Sequence, residues 1–204
     1  MNGKSKPYAI LVFGAPMSGK TTFAEQFSNR FSTPFLNLSE LHEKFHIPRE
    51  AARVLIAEFS KCHQTLIIEG GLNTEKQREE MRRILQKNGY SSILVWVQTD
   101  VTTIKHRMHH KYHTLAAAKT AFDAGYKHIE APTEVENALV ISGKHTFQTQ
   151  CKNVLTGISE RTAANDHQWC WIRRDHRSPQ RLVRSPQIFR FYLWQTFYFS
   201  ARKH

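Results

Sequence analysis

Eight consecutive residues, Gly14-Ala15-Pro16-Met17-Ser18-Gly19-Lys20-Thr21, fit the pattern G-x-x-x-x-G-K-[ST] without a mismatch. Binding a phosphate requires successive backbone N–H groups to converge on one hollow, and glycines permit the conformations and close approach this needs. A helix beginning near Gly19 would add its positive N-terminal end. Lys20 is then expected to reach β- and γ-phosphates, and the Thr21 hydroxyl to ligate Mg²⁺. The expected phosphate-binding set is Gly14, Ala15, Pro16, Met17, Ser18, Gly19, Lys20, Thr21 and Thr22. Context supports it: a buried-strand pattern ends at Phe13 and an amphipathic helical pattern begins at Lys20. The competing reading is a glycine-rich turn with an incidental Lys-Thr.

Further groups with chemical use follow along the chain. Asn37-Leu38-Ser39-Glu40 closes a second apolar run, and Ile67-Ile68-Glu69-Gly70-Gly71 closes a third. A basic stretch follows (Lys76, Arg78, Arg82, Arg83), then Val95-Trp96-Val97-Gln98-Thr99-Asp100, Arg107, and Ile129-Glu130-Ala131-Pro132-Thr133-Glu134. With the Gly14-x-Pro16-x-Ser18-Gly19-Lys20-Thr21 variant of the loop, about residues 7–160 resemble the small P-loop kinases of the polynucleotide-kinase, gluconate-kinase and antibiotic-phosphotransferase type. The resemblance implies a three-layer α/β P-loop domain with a five-stranded parallel sheet, and an ATP-dependent kinase with Mg²⁺ as cofactor. It also implies roles: Glu40 as general base or positioner of the attacking hydroxyl, Glu69 holding Mg²⁺ with Thr21, and Arg107 in a lid helix, neutralising charge on the transferring group. GTP is disfavoured because the Asn-Lys-x-Asp motif of GTPases is missing. Two departures stand out. Glu replaces the commoner Asp at both acidic positions, and the second lid arginine is replaced by Met108-His109-His110-Lys111, so that Lys111 is left as the second cation.

Each residue has a plainer reading beside this one. Glu40 could be a solvated carboxylate near a helix start. Arg78, Arg82 and Arg83 are interleaved with Glu75, Glu79 and Glu80, as i,i+4 ion pairs on a solvated face would be. His106/His110 and His109/His113 are i,i+4 pairs able to ligate zinc from one helix. No carboxylate or Cys is near to complete the set, and the stretch is dense in Lys and Arg. A solvated, basic lid is therefore expected there. Cys62, Cys151 and Cys170 are odd in number and far apart, which excludes a disulfide framework and fits a reducing, cytoplasmic setting.

These residues need a frame to hold them. Short apolar runs at Tyr8–Phe13, Phe35–Leu38, Thr65–Ile68, Ser92–Gln98 and Ala138–Ile141 read as strands. Between them, helical patterns are expected at Lys20–Arg30, Pro48–Cys62, Asn73 or Thr74–Lys87, Asp100 or Thr102 onward, 115–130 and Lys144–Ile158. Strands alternating with helices of this length imply a parallel sheet covered on both faces. No apolar run approaches the roughly 18 residues that a membrane span needs.

Of 204 residues, 40% are hydrophobic and 23% charged, a globular composition, with a net charge of +12. Residues 161–204 contribute +7 of that and are set apart as a basic, aromatic extension to the domain at 1–160. Trp169–Ile172 and Arg181–Arg184 read as two short strands, and Pro186 onward as a helix with seven aromatic positions. Packing on the core or homodimerisation through this helix is the plainer expectation. Nucleic-acid binding, with arginines on the backbone and aromatics stacked on bases, is the other; a membrane-surface helix is a third. The positive charge favours an anionic acceptor, such as a nucleotide or oligonucleotide. The competing function is a P-loop ATPase that acts as a nucleotide-dependent switch on a bound partner.

Overall fold

The computed structural model describes residues 6–62, 64–112 and 114–172 and, of these, the side chains of all but 49, 115 and 163–172. The order of elements is β1 (Tyr8–Phe13), α1 (Lys20–Phe31), β2 (Phe35–Asn37), α2 (Leu38–Phe45), α3 (Arg49–Ser60), β3 (Leu66–Glu69) and α4 (Glu75–Lys87). Then come β4 (Ser91–Gln98), α5 (Val101–Lys111), α6 (Leu115–Tyr126), a 3₁₀ turn at Glu134–Glu136, β5 (Leu139–Ser142) and α7 (Phe147–Ile172). The five strands form one sheet in the order β2-β3-β1-β4-β5, every neighbouring pair parallel. The α/β P-loop fold with five strands is therefore as the sequence implies. The sheet, the phosphate loop and the helices as far as Thr162 belong to one compact unit.

The strands are near-continuous apolar runs because both faces are covered. Ala9, Leu11 and Phe13 of β1 join Leu66, Ile68 and Leu94 against Ile56 of α3 and Met81 and Leu85 of α4. Ile10 and Val12 face the other way, with Ile67, Ile93, Val95 and Ile141, onto Phe23, Ala24 and Phe27 of α1 and Val154 of α7. A third, smaller cluster joins Ile104 and Met108 of α5 and Ala118 of α6 to Ala15 and Met17 of the phosphate loop. So the loop rests on the sheet below and against the α5–α6 pair at its side.

Several boundaries differ from the sequence expectation, four of them with a consequence for the fold. Leu38 starts a helix instead of ending a strand, because Asn37 caps it, its Oδ1 accepting from the Glu40 amide at 3.1 Å. α6 stops at Tyr126 instead of running to 130, and the Glu130 amide donates to the Asn73 carbonyl at 2.9 Å instead of continuing the helix. α7 starts at Phe147 instead of Lys144, after Gly143 has turned the chain toward the phosphate loop. It then runs on to Ile172, so Trp169–Ile172 is helix and not strand. No proline interrupts the stretch from Phe147, and helix growth once nucleated adds one hydrogen bond per residue. The expected strand at Arg181–Arg184 and the aromatic helix from Pro186 lie outside the described residues. Among the described residues, no helix is long and apolar enough to cross a membrane.

Candidate phosphate-binding site

β1 delivers the chain to Gly14 at the carboxyl edge of the sheet, where a parallel α/β fold places its ligands. A Cβ on Gly14, whose φ is 150°, would lie 2.4 Å from the Val97 carbonyl oxygen, so only glycine lets the loop leave β1 beside β4. Met17 takes a left-handed φ of 61°, and the Ser18 amide closes a turn onto the Ala15 carbonyl at 3.1 Å. Gly19, φ 101°, stands at the N-cap of α1 and offers no side chain to its first-turn amides, and no acid occupies that turn. Those amides and the helix dipole are left to an anion from outside.

Three side chains meet beneath the loop. Thr21 Oγ1 donates to Glu69 Oε1 at 2.8 Å, and Lys20 Nζ stands 3.7 Å from the same oxygen and 3.4 Å from the Ala15 carbonyl. Glu69 is 3% exposed although it ends a central strand. Two buried oxygens here have no partner among the described residues, Glu69 Oε2 and Ser18 Oγ. A buried polar atom without a partner is rare and costly, and points to a group that arrives from outside. Burial also governs the titration of the pair. It lowers Lys20 from its ordinary value, against the raising pull of Glu69, and the charge of Lys111 adds to the lowering. It raises Glu69, against the lowering pull of Lys20 and Thr21. Burial thus disfavours the charged form of each group, and the attraction between them opposes it.

The outer side of the loop is braced by residues far away in sequence. Arg107 of α5 donates from Nη1 to the Met17 carbonyl at 2.9 Å and from Nη2 to the Gly143 carbonyl at 3.0 Å. Thr99 Oγ1 donates to the Ser18 carbonyl at 2.9 Å. Gly143, just past β5, runs so close that a Cβ there would meet the Ser18 carbonyl oxygen at 1.8 Å. With the Ser18 carbonyl held by Thr99, the Gly19 N–H of the same trans peptide unit faces the opposite way. Thr99 enters the sequence reading only within the Val95–Asp100 run, and Gly143 not at all; their role exists only once β4 and β5 lie beside the loop.

Glu40 stands on the neighbouring element. Asn37 pairs with Glu69 in the sheet register, and a Cβ on Gly70 would lie 2.6 Å from the Ser39 amide, so the start of α2 abuts the end of β3. Its carboxylate is 43% exposed and accepts from Lys44 Nζ at 2.6 Å and, at 3.4 Å, from Asn37 Nδ2. Arg78 is in a different situation from the one expected. It is fully buried, gives Glu136 two hydrogen bonds of 2.7 and 2.8 Å, and also holds the carbonyls of Leu72, Asn73 and Glu130. It is neither part of a solvated ion-pair face nor open to a substrate; Arg83, paired with Glu79 at 2.9 Å, does keep to that face.

Residues 10–134 match the family described as AAA domain. The chain belongs to that family. Among solved structures, this AAA-domain chain is similar to a gluconokinase from Sinorhizobium meliloti 1021, with a TM-score of 0.59 and 15% identity over 81% of this chain and 99% of that one. A sugar kinase from Janibacter sp. HTCC2649 gives a TM-score of 0.55 at 16% identity, over 78% and 98%. At such identities the likeness is one of fold, and the fold is that of small P-loop kinases. No curated protein matches the chain significantly. The P-loop domain implies nucleotide binding.

Proposed function

We propose that this AAA-domain chain is an ATP-dependent kinase, moving the γ-phosphoryl group to a hydroxyl of a nucleotide, oligonucleotide or other small anionic acceptor. The meeting of Lys20, Thr21 and Glu69 under the loop, beside two unpartnered buried oxygens, carries the reading. In it the loop from Gly14 to Thr22 cradles the phosphates with those of its amides that carry a free N–H, and Lys20 exchanges Glu69 for β- and γ-oxygens. The Thr21 hydroxyl and the Glu69 carboxylate are hard oxygen donors set 2.8 Å apart, a set that fits Mg²⁺ directly or through water. When bound, that ion neutralises charge on the β/γ-phosphates. Arg107 keeps the loop in its cradle form while adding positive charge at its back, and Lys111, close enough to be felt by Lys20, supplies the second cation. Glu40 accepts the proton of the attacking hydroxyl once it has left Lys44. His42, Lys44, His46 and Arg49, on and around α2, favour an acceptor that carries negative charge.

One observation favours a second reading. Glu40, the only candidate base put forward, is tied to Lys44 and Asn37, as it would be in a nucleotide-dependent switch whose ATPase needs no acceptor. The fate of the label decides. With γ-labelled ATP and a panel of nucleosides, oligonucleotides, sugars and aminoglycosides, a kinase labels one acceptor, and Lys20→Ala abolishes the transfer. Release of free phosphate, unchanged by every acceptor, establishes the switch in its place. Failure of Mg·ATP to raise the melting temperature, with Lys20→Ala behaving like the parent, removes both readings.

A further inference from the structure

The outward side of α5 holds a feature that the phosphate site does not use. His106 and His110, one turn apart and both exposed, bring their Nε2 atoms to 3.3 Å, with ring centroids 4.5 Å apart and ring planes at 70°. For two imidazoles this distance has a specific meaning. Two Zn–N bonds of about 2.0–2.1 Å at a tetrahedral angle span about 3.3–3.4 Å between nitrogens. As the rings stand, one proton shared between the two Nε2 atoms accounts for the contact. The same two lone pairs can converge on a cation when both rings carry their protons on Nδ1, facing solvent.

We infer that His106 and His110 form a two-nitrogen binding site for one borderline-soft divalent cation of the Zn²⁺, Ni²⁺ or Cu²⁺ kind. The density of positive charge along α5 speaks against a cation in sequence, but the structure places those charges elsewhere. Lys105 Nζ lies 5.6 Å from the centre of the Phe122 ring on α6, and Lys111 Nζ 5.8 Å from that of Tyr112. Arg107 is engaged with the Met17 and Gly143 carbonyls. His109, on the same turn, has its ring 6.5 Å from that of His110. Among the described residues no third His, Cys, Asp or Glu completes the set, so the other coordination positions belong to solvent or an incoming ligand. Such a site exchanges readily, and it clips one turn of the helix that braces the phosphate loop.

The inference is independent of the kinase reading and is tested without nucleotide. The full chain, free of any affinity tag and stripped by a chelator, is titrated with Zn²⁺ by calorimetry at neutral pH, beside His106→Ala, His110→Ala and His109→Ala. The parent and His109→Ala should take up one equivalent that each of the other two loses or binds more weakly. Loss of a ligand should cost no less than the roughly tenfold that loss of an outer partner costs. Zn²⁺ should raise the melting temperature of the parent and not of His106→Ala or His110→Ala, whose metal-free melting should be unchanged because both residues are exposed. Excess Mg²⁺, a hard cation that prefers oxygen, should leave the Zn²⁺ isotherm in place. Equal affinity and stoichiometry in His106→Ala, His110→Ala and the parent, or no Zn²⁺ uptake by the parent, overturns the site.

Discussion

Lys20 and Glu69 illustrate how a site stores readiness at the cost of stability. Glu69 has its pKa raised by burial, so its contribution to stability is complete only below its ordinary value of 4.5 and is lost as pH rises through the raised one. Lys20 has its pKa lowered by burial, so its contribution is present above 10.5 and is lost as pH falls through the lowered value. At neutral pH the two signs agree: both shifts run against the unliganded fold. Replacing both, Lys20→Met with Glu69→Gln, should raise the unfolding free energy of the unliganded protein by on the order of 1 kcal/mol in urea at pH 7. Each single change should fall below the double, since it leaves one buried partner alone. Nucleotide-induced stabilisation should vanish in all three. At this scale the sequence was largely readable, because Gly14, Lys20, Thr21 and Glu69 sit at fixed offsets from the ends of strands. The resemblance put Arg107 in a lid helix, facing the transferring group; its carbonyl partners at Met17 and Gly143 are contacts that no spacing announces.

Between elements, the segment from Glu130 to Glu136 is strapped to the start of α4. The Glu75 amide donates to Glu130 Oε2 at 2.7 Å and the Glu130 amide to the Asn73 carbonyl at 2.9 Å, while Arg78 clasps Glu136. Local pattern misassigned Arg78 because its partner is 58 residues away, whereas the i,i+4 pair Arg83–Glu79 was legible within the helix itself. Removing one partner leaves the other buried and charged, so Arg78→Ala should cost about 3–5 kcal/mol in chemical unfolding. Hydrogen bonds from Arg78 lower the Glu136 pKa. Its contribution is therefore present above 4.5 and lost as pH falls through the lowered value. In Glu136→Gln that acid-dependent share of the stability loss should be missing from an unfolding series run below pH 4.5. The turn from β5 to α7 makes a different demand. Gly143→Ala would drive a methyl group into the Ser18 carbonyl, so the loop must shift. Nucleotide affinity should drop by roughly tenfold or more, measured by fluorescence titration, although residue 143 lies outside the motif. Strand and helix positions were mostly legible from apolar period. The extent of α7 was not, because helix length depends on cooperative growth and not on any single residue.

Across the whole molecule, the charge of +12 is the property with the clearest outward consequence, and +7 of it lies beyond residue 160. If the extension binds single-stranded nucleic acid, log affinity should fall against log salt with a slope of about −0.7 per phosphate contact. Replacing Arg173, Arg174 and Arg177 by Ala should flatten that slope while leaving Mg·ATP stabilisation intact. An unchanged slope assigns the extension to packing or to association between copies. The sheet order has a consequence of another kind, in the timing of synthesis. β1 is made before the other four strands of the sheet and lies at its centre, yet its two neighbours are β3 and β4, with Tyr8 opposite Ser91 and Phe13 opposite Trp96. A chain growing from its N-terminus thus carries the apolar strand Tyr8–Phe13 bare on one edge until Gln98 has been made. Exposed strand edges invite pairing with other chains. The loop motif, complete in sequence by Thr22, lacks its braces until Arg107 and Gly143 have followed it and found their places. For a nascent chain, then, the motif is written long before the contacts that hold its shape.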